Sequence, residues 1–370
     1  MSAALKQAIQ TEARRLGFIL AGVTTPEPPE HMPVFEDWLM QGRHASMEYL
    51  AEERSRTRRA NPELILPECK SILVLAIPYY PPTAPEVSEK KKSQKDNFST
   101  LPLEEKPAGR GRIAAYAWGA DYHLILPKRL QALAAFIERQ AGHPIAYRYY
   151  TDTGPILERD LAQRAGLGWI GKNTCLISPK HGSYFLLAEI FLDLELEPDL
   201  PITTDHCGTC TRCIDACPTE CILPDRTLDA GRCIAYLTIE LKEDIPPELR
   251  PMTGDWVFGC DICQMVCPWN RFASVEGDPA FKPREDWSHP RLLQELELTP
   301  KEFNQKYKES PLQRAKRRGY LRNVATAVGN EGNREDIPEL EKALKDTEPM
   351  VRKHAAWAID RIIDQDLKEV

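Results

Sequence analysis

At 370 residues the chain is too long for one small electron-carrier module and long enough for two or three domains around a sizeable core. Lys and Arg number 48 against 55 Asp and Glu, a formal net charge of −7, which excludes a protein that coats nucleic acid indiscriminately but not one with a local basic face. No run approaches eighteen apolar residues, and the opening MSAALKQAIQTEARRLGF lacks the apolar block of a signal peptide, so a soluble, cytoplasmic protein with no membrane partner is expected.

Taken in chain order, Ala3 to Leu16 reads as an amphipathic helix and Ser71 to Ile77 as a buried strand ending at Pro78, an α/β opening. Residues 81–110, rich in Pro, Lys, Glu and Ser, have little to bury and are expected to form a long mobile loop. A strand-like RIAAYAW from Arg112, the helix pattern LILPKRLQALAAFIERQ, the segment YRYYTDTGP, a second helix from Ile156 to Ala165, a glycine-rich turn and the apolar SYFLLAEIFL follow. These read as one α/β domain over residues 1–204.

Cysteines dominate the next stretch. Nine of the eleven fall within residues 205–270, and short intervals in a cytosolic-looking chain favour metal over disulfides. Cys207, Cys210, Cys213 and Cys217 show gaps of two, two and three, closed by Pro218, the spacing of bacterial-type ferredoxins with two 4Fe-4S clusters. The second set is Cys260, Cys263 and Cys267, closed by Pro268, with Cys233 pulled away by an insertion. By the crossover rule one cluster takes Cys207, Cys210, Cys213 and Cys267, and the other Cys217, Cys233, Cys260 and Cys263. Zinc, which also uses paired C-x-x-C units, is disfavoured by the third closely spaced cysteine and both Cys-Pro closures. Cys69, Cys175 and Cys221 sit among apolar residues and read as buried structural thiols.

Gly166-Leu-Gly-Trp-Ile-Gly171-Lys172-Asn173 matches G-x-G-x-x-G and nearly a Walker A loop, yet a helix precedes it where a strand is needed, and Asn173 stands where magnesium needs Ser or Thr. It suits a loop beside some other flat cofactor, with Lys172 and Asn173 as polar contacts, or simply a tight helix-to-strand turn. Asp152 in YYTDTGP is either a helix cap or a partly desolvated acid whose raised pKa suits proton donation.

Beyond residue 271 the pattern is helical. Leu321 to Val328 and Val351 to Ile359 repeat a hydrophobic spacing, as in paired helices of a HEAT-type repeat, with an ordinary helical tail as the alternative. Arg314, Lys316, Arg317, Arg318 and Arg322 form a run of cations without an acid, either a surface for nucleic-acid phosphates or a solvated helix face.

The cysteine module, YTDTGP, GLGWIGKN and RRGYLRN in that order resemble the epoxyqueuosine reductase family across nearly the whole chain. The resemblance implies an α+β protein with an α/β corrinoid-binding domain (1–204), a ferredoxin-like module (205–270) and a C-terminal HEAT-like tRNA-binding domain (271–370). It implies cobalamin beside two 4Fe-4S clusters, and a tRNA bearing epoxyqueuosine at its wobble position as substrate. Electrons would come from a low-potential donor of ferredoxin or flavodoxin type. By the same resemblance Asp152 would donate the proton, Arg59 in TRRANPELILP would touch cobalamin, Lys172, Asn173 and Ser183 would line its pocket, and Arg314 to Arg322 would hold the tRNA. The D-x-H-x-x-G cobalamin sequence is absent, since Asp121-Tyr122-His123 runs on into Leu-Ile-Leu. A corrinoid reductase of a small molecule and a non-catalytic ferredoxin-type carrier are the rival readings. Nothing demands more than a monomer.

Overall fold

The structure is a computed structural model that describes residues 2–81, 107–274 and 276–369. Most of the loop expected over 81–110 therefore lies outside the described residues. The N-terminal part contains α1 (Ser2–Arg15), β1 (Leu20–Thr24), α2 (Met32–Met40), α3 (Glu53–Ala60), β2 (Ser71–Pro78) and β3 (Arg112–Ile113). It continues with α4 (Tyr122–Ala141), β4 (Tyr147–Tyr150), α5 (Glu158–Arg164), β5 (Trp169–Ile170), β6 (Leu176–Ile177) and β7 (Phe185–Leu192). The cysteine module holds α6 (Arg212–Asp215), α7 (Ile234–Ile239), β8 (Trp256–Phe258) and α8 (Ile262–Met265). The chain ends in α9 (Leu292–Leu296), α10 (Pro300–Lys306), α11 (Lys316–Glu331), α12 (Ile337–Ala343) and α13 (Pro349–Glu369).

The central sheet has the order β1-β2-β7-β4, and every neighbouring pair is antiparallel. This departs from the α/β reading, in which a fully apolar strand such as Ser71–Pro78 belongs to a parallel sheet. The physical reason is burial on both faces, which erases the polar alternation by which antiparallel strands are recognised. Leu73, Leu75 and Ile77 share one face with Ala188 and Ile190 and pack on α1 and α4 through Ile9, Ala13, Leu126 and Leu130. Ile72, Val74 and Ala76 share the other with Phe191 and pack on Leu161 and Ala162 of α5.

RIAAYAW is a strand only over Arg112–Ile113, which pairs in parallel with β8, and then turns into a 3-10 helix over Ala115–Ala117. That pairing crosses the expected boundary near residue 204. One apolar core runs from Ile9 through Phe258 to Ile362, so the cysteine module and the C-terminal helices share it with the sheet. The two similar segments beyond residue 320 fall in α11 and α13, which pack on each other with α12 beside them. Gly329 makes the crossing close: a Cβ there would lie 2.8 Å from the Cα of Ala358.

Candidate functional site

Two short turns of helix, α6 and α8, lie side by side and carry Cys213 and Cys263, with the other cysteines of each set on the flanking turns. Cys207, Cys210, Cys213 and Cys267 line a single cavity, so a cysteine from the second sequence set closes the group begun by the first. All eleven cysteines are free thiols. Cys221 and Cys175 are not simply packed among apolar side chains: the Cys221 sulfur is 3.4 Å from that of Cys217, and Cys175 faces Cys263. Cys69 is buried, with its thiol directed to the Ser71 carbonyl at 3.4 Å.

The glycine-rich segment meets the same cavity. It forms the hairpin β5–β6, with no helix after it. A Cβ at Gly168 would lie 2.3 Å from the Ile177 carbonyl oxygen, so this glycine is required by the hairpin's own backbone. The Lys172 ammonium donates to the carbonyls of Gly208 (2.7 Å) and Cys210 (2.9 Å). Asn173 donates to the Cys263 carbonyl, and Ser183 donates to the Gln264 side chain at 2.8 Å. All three side chains therefore bond to the cysteine module, against which the hairpin packs.

Asp152 sits elsewhere, on the turn that follows β4. Helix α5 begins only at Glu158, with Leu157 at its N-cap position, so Asp152 is not a cap. Its backbone is left-handed, φ 62°, a conformation that costs a residue with a side chain unless its surroundings hold it there. They do. Tyr122 Oη donates to its carboxylate at 2.7 Å, and its main-chain N–H donates to Glu158. Thr151 donates its hydroxyl to the Leu187 carbonyl at 3.0 Å, anchoring the turn to β7.

His123, next to Tyr122 in the first turn of α4, shares this site. Its Nδ1 bonds Asp121 at 2.9 Å, and its Nε2 faces the Asp152 carboxylate at 3.7 Å, beyond hydrogen-bond reach but within charge contact. Asp121 and then Asp152 push the His123 imidazole up to about 9 against the effect of burial. Burial also pushes the Asp152 carboxyl up, but His123 and Tyr122 outweigh it and hold it below the ordinary carboxylate range. The raised pKa expected for Asp152 is therefore corrected, and the proton of this pair resides on the histidine. Glu158, by contrast, is pushed up to about 7 by burial and then by the Asp152 charge.

Arg59 approaches from α3. It is 6% exposed, lies over the Phe35 ring at 5.4 Å, and its Nη1 has no hydrogen-bond partner. A buried guanidinium nitrogen left open is costly unless a ligand oxygen meets it.

The basic run divides. Arg322 is fully buried and donates to the carbonyls of Leu237, Leu241 and Glu243, and Arg317 pairs with Asp346 and the Leu298 carbonyl. Neither is free to bind a phosphate, which corrects the expectation for both. Lys316 and Arg318 are exposed, and Arg314 pairs with Glu240 while its charge still reaches Asp152.

Residues 206–270 match the 4Fe-4S double cluster binding domain, and residues 59–153 match epoxyqueuosine reductase QueG, DUF1730. The epoxyqueuosine reductase of Xanthomonas campestris is 40% identical over 352 residues, 95% of this chain and 94% of that protein. The chain belongs to the epoxyqueuosine reductase family. The Escherichia coli member is 35% identical, covering 98% of this chain and 90% of its own. Among solved structures, an epoxyqueuosine reductase with an epoxyqueuosine-modified stem loop of tyrosine tRNA is 31% identical with a TM-score of 0.84, covering 98% of this chain and 91% of that one. The Bacillus subtilis epoxyqueuosine reductase, captured with an aspartate-bearing catalytic loop swung out of its active site, gives 0.83 at 30% identity, with 98% of this chain and 91% of that one covered. As a member of this family the chain is an oxidoreductase with an iron-sulfur module.

Tyr122, His123 and Glu158, which surround Asp152, carry one signal in the sequence: Asp121-Tyr122-His123 begins like a D-x-H-x-x-G cobalamin sequence and then departs from it. No helix among the described residues is long and apolar enough to cross a membrane.

Proposed function

We propose that this chain reduces the epoxide of epoxyqueuosine at the wobble position of tRNA to queuosine, in the cytoplasm and as a monomer, with two 4Fe-4S clusters and cobalamin as cofactors. The observation that carries the reading is its likeness, over 98% of its length, to an epoxyqueuosine reductase solved with an epoxyqueuosine-modified tRNA stem loop.

Cys207, Cys210, Cys213 and Cys267 would hold the first cluster, in keeping with the cavity they share, and Cys217, Cys233, Cys260 and Cys263 the second. Cobalamin fits beside Arg59, whose open, buried Nη1 suits an amide carbonyl on the corrin rim. When bound, these groups supply low-potential electrons and low-valent cobalt for the epoxide-bearing ring, the electrons originating from a donor of ferredoxin or flavodoxin type.

The chain's own part is placement and protons. Asp152 presents its carboxylate at the mouth of the site, 64% exposed, with Tyr122 fixing its direction and His123 holding a proton at Nε2. A proton passed from His123 to Asp152 and on to the epoxide oxygen assists C–O cleavage. Residues 1–204 would form the catalytic and cobalamin-binding part, 205–270 the cluster module, and 271–370 a HEAT-like tRNA-binding part. Lys316 and Arg318, with Arg314, remain the candidates for phosphate contact.

The test is to reconstitute the protein with iron, sulfide and cobalamin, add a low-potential reductant, and follow epoxyqueuosine-containing tRNA by nucleoside mass spectrometry. Conversion to queuosine is expected. No conversion, with both clusters present, would refute the reading.

A further inference from the structure

Two further carboxyl groups stand behind Asp152. Glu158 opens α5 and takes the Asp152 main-chain N–H on Oε1. Glu189, in the middle of β7, is 0% exposed, and neither of its carboxylate oxygens has a hydrogen-bond partner. Strand register sets it between Val74 of β2 and Tyr150 of β4, on the sheet face that packs against α5. The Asp152 turn is tied to Leu187, two residues along the same strand. Three carboxyl groups thus run from the surface inward: Asp152 exposed, Glu158 half-buried and Glu189 enclosed.

An enclosed carboxyl without a partner is driven to its neutral form, since no protein donor stabilises the charge. Burial and then the nearby Glu158 hold Glu189 well above the ordinary carboxyl range, while Glu158 lies near neutrality, at about 7. The charged groups facing Glu158 are Asp152, Arg159, His123 and, from α3, Arg59, and those facing Glu189 are Glu158 and Asp152. An apolar residue would pack in the centre of β7 without this cost, so the acid is a place to keep a proton.

Reduction of an epoxide to an alkene breaks two C–O bonds, forms one C=C bond and consumes two electrons and two protons, the oxygen leaving as water. The electrons come from the low-potential donor through the clusters. One carboxyl carries one proton at a time, so the donor must be reloaded between the two transfers. We propose that Glu158 and Glu189 form a proton relay that reloads Asp152, a role that rests on the reading of Asp152 as proton donor. Glu158 breaks its O–H bond as the Asp152 carboxylate forms one, and Glu189 then restores the proton on Glu158, each transfer passing through a bridging water because no two of the three carboxyl groups are hydrogen-bonded to each other directly. Neither touches the substrate, and both act through Asp152.

Glu158→Gln and Glu189→Gln keep the shapes, and the first keeps an acceptor for the Asp152 N–H, but neither can pass on a proton. In the cluster- and cobalamin-loaded protein, single-turnover conversion of epoxyqueuosine tRNA is measured from pH 5 to 9 in H2O and D2O. Each variant is expected to slow turnover about a hundredfold at neutral pH and to lose the inflection near pH 7, with cluster EPR signals and tRNA affinity unchanged. Glu158→Asp, which keeps an acid, is expected to recover most of the rate. Should Glu189→Gln fail to fold, Glu158→Gln and its recovery by Glu158→Asp decide the matter. Wild-type rate and pH profile in Glu158→Gln, with Asp152→Asn inactive, would overturn the relay alone. Full activity in Asp152→Asn would overturn the parent reading with it.

Discussion

The phenol of Tyr122 and the carboxylate of Asp152 are joined by a 2.7 Å hydrogen bond across 30 positions of sequence. It locks the first turn of α4 to a left-handed turn that no local sequence preference would hold in place. Tyr122→Phe keeps the ring and removes the donor. Because a hydrogen bond to a charged group is worth about 1.5–3 kcal/mol, turnover should fall roughly tenfold or more, and the pKa of Asp152 should rise. Single-turnover rates across pH would show this, and an unshifted profile at wild-type rate would rule the bond unimportant.

His123 makes a prediction about stability. Its imidazole is raised to about 9, chiefly by Asp121 and then by Asp152. A histidine raised above its unfolded value of about 6.5 stabilises the fold fully below that pH and loses the contribution as pH climbs through about 9. Urea denaturation of wild type should therefore show stability falling between about pH 6.5 and 9 by more than His123→Gln does. Parallel curves for the two proteins would contradict it.

Cys267 tests the crossed arrangement, because it belongs to the second set in sequence yet shares a cavity with Cys207, Cys210 and Cys213. Cys267→Ser should disturb the same cluster signal as Cys210→Ser and leave the signal dependent on Cys260 intact, with iron falling from about eight to about four per chain. EPR of the reduced proteins distinguishes the cases. Loss of the Cys260-dependent signal instead would mean uncrossed ligands.

The cations of the RRGYLRN segment should separate by effect. Arg322→Ala strands three backbone carbonyls in the core and is expected to cost roughly 3 kcal/mol of stability. Lys316→Ala and Arg318→Ala, at exposed positions, should leave stability within about 0.5 kcal/mol. Each is expected to lower the salt slope of tRNA binding by about one. Binding isotherms at several salt concentrations decide it, and unchanged slopes in both would remove these residues from the interface.

Gly154 lies two residues beyond Asp152. A Cβ there would sit 2.6 Å from the Tyr150 ring near its root, where the ring cannot swing aside without moving β4. Gly154→Ala should displace the Asp152 turn and lower turnover at least tenfold, while thermal unfolding, set by the sheet core, shifts by only a few degrees. Full activity would show that the turn tolerates the shift.

What could be read directly from the residues was chemistry written at short range. Cys207, Cys210, Cys213 and Cys217 lie within eleven residues, so their spacing alone requires the sulfurs to converge, and the two Cys-Pro closures point to iron-sulfur clusters. The helix of residues 122–141 was equally legible, because its apolar periodicity is local. The glycines of GLGWIGKN show the limit: the pattern was visible, but only the closeness of Gly168 to the Ile177 backbone reveals that they serve a hairpin.

The tertiary structure decided the rest, since it depends on partners far along the chain. Strand direction was hidden because a sheet covered on both faces leaves β2 apolar whichever way it runs. Arg322 looked like a surface cation until the carbonyls of Leu237, Leu241 and Glu243, about 80 residues earlier, were seen to enclose it. Asp152 was found from its own segment, but its protonation was not. A carboxyl's pKa is set by what folding places around it, and here His123 and Tyr122 on α4 reverse the shift its sequence neighbours suggest.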